Sequence, residues 1–240
     1  MSLRPTALLL VAHGTRADAG AMASIRLAAA VRGRLPGVPV RLAFADVRAP
    51  TVADVLPELL ESVGPVGEVV VLPVFLTSGY HVHIDLPAQL AALGSPPQVR
   101  LVAPLGPATA LIGAAADRLR AAGWCRTDAV VLGAAGSTDP VARTQLWRAA
   151  DLLGRELGAG VRIGYLAGGD PGLDEVVARL RAEGRRVAVA SWLLAPGLFQ
   201  HKLMNCGASV LGQPLAGHPG VTDAVLAGFR RARPADAAVA

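Results

Sequence analysis

Apolar residues in this chain gather in short unbroken runs, and most runs are followed by a stretch with helical spacing. Ala7 to Ala12 is the first run. Others of strand length follow at Val38 to Phe44, Val69 to Phe75 and Val99 to Val102. Between them, Asp18 to Leu35 sets Met22, Ile25 and Ala29 along one helical face. Thr51 to Val63 shows the i, i+3, i+4 pattern most fully, through Val52, Val55, Leu56, Leu59, Leu60 and Val63. Thr51 and Asp54 form a capping-box pattern at its start, and Pro57 inside it predicts a kink. Asp85 to Leu93 and Ala108 to Ala122 read as further helices. Ala129 to Leu132, Val161 to Leu166, Arg186 to Leu194 and Ala208 to Leu211 then repeat the strand pattern. Strands that are apolar throughout need cover on both faces, which helices between them supply. The predicted class is α/β, with mainly parallel sheets.

The two halves also resemble each other. VAHGTRAD (Val11 to Asp18) aligns with GAAGSTDP (Gly133 to Pro140), and FLTSGYHVH (Phe75 to His83) aligns with LLAPGLFQH (Leu193 to His201). APLGP (Ala103 to Pro107) is echoed near QPLAGHP (Gln213 to Pro219). Three matches in one order predict an internal duplication. The expected lobes are residues 1–123 and 124–240, each a four-stranded sheet flanked by helices.

The alignment separates the histidines. His13 faces Ala135 and His81 faces Phe199, while His83 keeps a partner in His201. A residue needed for folding should be needed in both copies, so His13 and His81 are the candidates for chemistry. His83 reads equally as structural, and His201 and His218 as surface or helix-end residues. His13 ends the first strand and His81 follows the third, which places both on the carboxyl rim where parallel sheets bind ligands. Gly14 and Gly79 beside them let the backbone turn or approach a ligand closely. Two imidazoles there suit either a divalent metal or proton transfer. Asp46 and Arg48 share that rim, as a salt bridge or as functional groups. Met204 and Cys206 read as packing residues, and GGDPG (Gly168 to Gly172) as a helix-starting loop in preference to a phosphate turn.

Composition narrows the classes. Hydrophobic residues at 52% and charged residues at 17% describe a folded chain. Its 240 residues suffice for one large domain or two small ones. The net charge of +5 is spread rather than clustered, and aromatics are only 4%, which argues against a nucleic-acid surface. A solvated basic surface, or one suited to a small polyanion, remains. Cys125 and Cys206 stand alone, as in a reducing compartment. The first apolar run is too short to span a membrane and lacks a cleavage-site pattern. A cytoplasmic location is expected, with no membrane or nucleic-acid partner. No GxSxG or GxGxxG supports a hydrolase or a dinucleotide enzyme.

LLLVAHGTR, followed about sixty residues later by LPVFLTSGYHVHIDLP, resembles the sirohydrochlorin chelatase family of the CbiX/SirB type. The resemblance implies two similar α/β lobes, the second degenerate. It implies insertion of Fe2+ or Co2+ into sirohydrochlorin, towards sirohaem or cobalamin. His13 and His81 match the family's metal-handling histidines. Leu76, Thr77, Ser78, Gly79 and Tyr80 match a segment that lines the tetrapyrrole. Where the family usually carries Glu near the end of the second strand, FADVRAP offers Asp46. His13 is then expected as proton acceptor and metal ligand, and His81 as second ligand. Ser78 and Gly79 amides, with Arg16 or Arg48, would receive substrate carboxylates. The metal is expected as substrate, without a resident cofactor, and the chain as a monomer. A carrier that binds metal or tetrapyrrole without turnover would use the same histidines.

Overall fold

Strand order within each sheet follows from which apolar runs are covered on both sides. The computed structural model describes residues 4–233, with the backbone but not the side chain of His81. Among these, β1 (Thr6–Ala12), β2 (Val40–Phe44), β3 (Glu68–Pro73) and β4 (Val99–Leu101) form one sheet in the order β2-β1-β3-β4. β5 (Ala129–Ala134), β6 (Val161–Tyr165), β7 (Val187–Trp192) and β8 (Val210–Leu211) form a second in the order β6-β5-β7-β8. Every pairing is parallel. The central strands β1, β3, β5 and β7 are the most continuously apolar and buried, as two-sided cover demands.

The helices are α1 (Asp18–Arg34), α2 (Val52–Val63), α3 (Leu86–Ala92), α4 (Thr109–Ala121), α5 (Pro140–Leu157), α6 (Leu173–Ala182), α7 (Leu198–Met204) and α8 (Pro219–Ala232). A π-helical turn, His81–Asp85, precedes α3. α2 buries Val52, Val55, Leu56, Leu59 and Val63 against β1, β2 and β3, and continues through Pro57 as one element. Its start is a complete capping box: Thr51 Oγ1 accepts from the Asp54 N–H at 3.3 Å, and the Asp54 carboxylate accepts from the Thr51 N–H at 2.7 Å. The same carboxylate also accepts from the Thr51 hydroxyl at 2.8 Å, and the bonds it accepts from the Thr51 N–H and hydroxyl hold the Asp54 carboxyl below its ordinary value. A depressed carboxyl pKa stabilises the fold above the ordinary carboxylate range, and that contribution is lost as pH falls through the folded value. Thr51→Ala should cost about 1 kcal/mol at neutral pH. The gap between the two urea midpoints should narrow on acidification.

Met22, Ile25 and Ala29 share a face of α1 as expected, and it is the solvent face: Met22 and Ile25 are 44% and 45% exposed, while Ala21, Ala23, Ala28 and Val31 are buried. Small residues let this helix lie close to the sheet. One expectation is corrected. Met204, expected in packing, is exposed, whereas Cys206 is buried. Burial pushes the Cys206 thiol pKa up, so it is an inert core residue.

The chain divides into two compact units. The first is Met1–Leu105 with Thr222–Ala240, and the second is Gly106–Val221. α4 therefore belongs with the second sheet, where it packs on α5 and β7. Most of α8 belongs with the first. Gly228 brings it onto β3, since a Cβ there would stand 2.9 Å from Leu72 Cδ1. Arg100 also donates to the Ala232 carbonyl at 2.8 Å.

The duplication is visible bond by bond. The Ala45 N–H donates to Ala12 O at 2.8 Å, and the Leu166 N–H donates to Ala134 O at 2.9 Å. Phe44 N–H to Pro50 O at 2.8 Å is matched by Tyr165 N–H to Pro171 O at 3.1 Å. Gly14 and Gly136 sit at φ +94° and +97°, and a Cβ on either would collide with a carbonyl oxygen of the neighbouring loop, that of Asp46 or of Ala167.

Candidate active site

The register of the first sheet places the rim. β1 and β3 are adjacent, with Val11 opposite Pro73, and the Val74 N–H continues the ladder to Val11 O at 2.8 Å. Two residues beyond each member of that pair come His13 and Phe75. Their ring centroids are 5.9 Å apart, tilted by 37°. Phe75 packs against the first unit's core on its other side. The imidazole of His13 is thus supported by an aromatic ring at a strand end while remaining exposed.

The loop after β2 closes under it. The Asp46 N–H donates to His13 O at 3.1 Å, a contact that the absence of a side chain at Gly14 permits. The Asp46 carboxylate accepts from its neighbour's amide, Val47 N–H, at 2.7 Å. Arg48 donates to Asp18 Oδ1, on the first turn of α1, at 2.8 Å. Asp46 and Arg48 therefore lie on the rim, with hydrogen bonds that order the β2 loop and tie it to α1. Gln89 of α3 secures the same loop, donating to Ala45 O at 3.0 Å. That link had no sequence signal beyond a polar residue on a helix.

The segment after β3 alternates. Leu76 and Ser78 are buried at 8% and 5%, whereas Tyr80 is 63% exposed. The Val82 and His83 N–H groups both donate to Gly79 O, at 2.9 and 3.1 Å, and this turns the chain into the π-helical stretch that His81 opens. Gly79 differs from Gly14. Its φ lies outside the left-handed region, and an added Cβ would meet nothing within 4 Å. No backbone constraint requires glycine there. His83 is exposed, and the backbone of His81 stands at the start of the turn. Among the described residues no group of three or more His, Cys, Asp or Glu forms a closed metal cage.

The second unit shows the same frame without the imidazoles. The Ala167 N–H donates to Ala135 O at 2.9 Å, as Asp46 does to His13. Ala135 and Phe199, which replace His13 and His81, both pack against that unit's hydrophobic core. The fold at these positions needs neither histidine.

A duplicated parallel α/β protein, with a histidine-bearing rim on one copy only, is the class that fold and site define. A family model described as CbiX matches residues 7–122 and again residues 129–232. This chain belongs to the CbiX family. No curated protein matches it closely enough to count as a relative. Among solved structures, it is similar to SirB from Bacillus subtilis with Fe3+, at a TM-score of 0.84 and 21% identity over 95% of each chain. It is similar to SirB from Bacillus subtilis subspecies spizizenii in complex with cobalt, at 0.80 and 19%, again over 95% of each. A third is CbiX, described as the terminal enzyme for siroheme biosynthesis in denitrifying bacteria, at 0.66 and 21% over 94% of this chain and 99% of that one. At these identities the likeness is one of fold. No helix among the described residues is long and apolar enough to cross a membrane.

Proposed function

We propose that this chain is a sirohydrochlorin chelatase, inserting Fe2+ or Co2+ into the macrocycle on the route to sirohaem or cobalamin. One observation carries the reading: the rim holds an exposed imidazole at His13, and the duplicate builds the same frame around Ala135. Membership of the CbiX family supports it, as do the iron- and cobalt-bound SirB structures of like fold.

The chemistry matches what these residues supply. A hydrated divalent ion must lose water as it enters, and two pyrrole protons must leave for charge to balance. Imidazole is a borderline donor suited to iron and cobalt. An open pair of such donors holds the ion loosely enough to release it, where a closed cage would trap it. In this reading His13 and His81 hold the incoming ion, and His13 accepts a pyrrole proton. The loop Leu76, Thr77, Ser78, Gly79 and Tyr80 lies under the macrocycle. The Ser78 and Gly79 amides and the rim arginines, Arg16 or Arg48, face its carboxylates.

Purified protein mixed with sirohydrochlorin and each metal in turn tests this by absorbance. Turnover to the metallated product is expected. Binding without product would instead mark a carrier. Gly79 offers a finer check, because its side of the loop is open and its backbone conformation ordinary. Glycine in such a place marks close ligand approach. Gly79→Val should melt like the parent yet lose roughly tenfold or more in kcat/KM, as a displaced substrate would.

A further inference from the structure

The second unit carries a cavity of about 480 Å³ at β6, an outer strand of its sheet. This is within the usual size range of small-molecule sites. Ile163 and Tyr165 give it apolar walls, and Trp147 of α5 stands beside them with 63% of its surface exposed. Arg162 and Arg179 bring two guanidinium groups to it.

The duplicate unit serves as an internal control. Phe44 and Tyr165 end equivalent strands, so Arg41 of β2 corresponds to Arg162 of β6. Thr51 and Gly172 cap equivalent helices, so Glu58 of α2 corresponds to Arg179 of α6. In the first unit Arg41 donates from Nε and an Nη to the Glu58 carboxylate, at 3.2 and 2.6 Å, and the pair is neutral. In the second unit the carboxylate has become another guanidinium. Arg179 turns to Glu175, one helical turn back, at 2.8 Å. Arg162 has no ion-pair partner among the described residues. On α1 and α5, counted from their first residues Asp18 and Pro140, Ile25 is replaced by Trp147. The second unit has thus exchanged a neutral salt bridge and an aliphatic side chain for an exposed indole and one guanidinium without an ion-pair partner among the described residues.

We propose that this cavity binds a planar apolar molecule carrying a single carboxylate. The ring system stacks on Trp147 on the face of β6 that carries Ile163, and the carboxylate reaches round this outer strand to Arg162, which springs from its other face and whose planar fork suits it. Asp170 and Glu183 also line the cavity and balance its two guanidiniums, so a polyanion is opposed and only Arg162, which lacks an ion-pair partner among the described residues, is left to meet one negative group. The site is built from second-unit residues and is independent of the histidine chemistry.

Pyrenecarboxylate and its uncharged analogue pyrenemethanol test this with the full chain, read by energy transfer from tryptophan and by probe anisotropy. The carboxylate should bind roughly tenfold more tightly than the alcohol, the scale of a charge-assisted hydrogen bond. Arg162→Gln and Arg162→Glu should both abolish that preference. Trp147→Ala should weaken both probes alike, and His13→Ala should change neither. Circular dichroism confirms that each variant is folded. Failure to bind either probe overturns the proposal, as does a preference that survives at Arg162→Glu or disappears at His13→Ala.

Discussion

His13→Ala is expected to slow metal insertion by about 10²–10⁴-fold, the usual contribution of a positioned proton acceptor. The direct contribution to folding is small. The imidazole is exposed, its one described ring contact is with Phe75, and the equivalent backbone forms around alanine at position 135. Surface substitutions of this kind change stability by about 0.5 kcal/mol or less. Thermal unfolding should therefore be near that of the parent while absorbance shows almost no metallated product. A variant that inserts metal at the parental rate would remove His13 from the mechanism. One that fails to fold would show that the rim depends on the ring after all.

The second large effect is expected at Gly14. Its φ of +94° disfavours any side chain, and a Cβ would collide with the Asp46 carbonyl. Gly14→Ala must therefore strain the backbone, at roughly 1–3 kcal/mol, or push the β2 loop away. Moving that loop breaks the hydrogen bond from Asp46 to His13 O and shifts the imidazole. Both stability and insertion should fall. Gly136→Ala imposes the same collision, with Ala167, in the second unit. It should lower the melting temperature comparably and leave the intrinsic insertion rate of the folded fraction much closer to the parent. Equal loss of insertion in both variants would mean that Gly14 acts only through global stability.

Much of this was legible in the chain itself. The α2 pattern named its buried face and its cap, because side chains three and four apart must share a helical face. The paired motifs singled out His13 as a candidate, because the second copy carries alanine in the same place. On α1 the spacing tells which residues stand together and not which way they look. Met22 and Ile25 stand together facing water, and alanines meet the sheet. The π-helical turn at His81 was also beyond a reading based on apolar spacing. The chain enters it through two amides that share one carbonyl, Gly79 O, which apolar spacing does not report. The tie from Gln89 to the β2 loop links residues 44 positions apart, which no local pattern can report.

Because α4 groups with the second sheet and most of α8 with the first, a repeat length of chain and a compact body are different things. A fragment ending after α4 would carry a helix that covers someone else's strands and would leave its own β3 bare where Gly228 lies. Such a piece could satisfy itself only by trading helices with a twin. Linking two copies in one polypeptide turns that trade into an internal arrangement, free of any dependence on concentration. It also leaves one copy at liberty to do without counterparts of His13 and His81 while it continues to supply a helix to the copy that carries them.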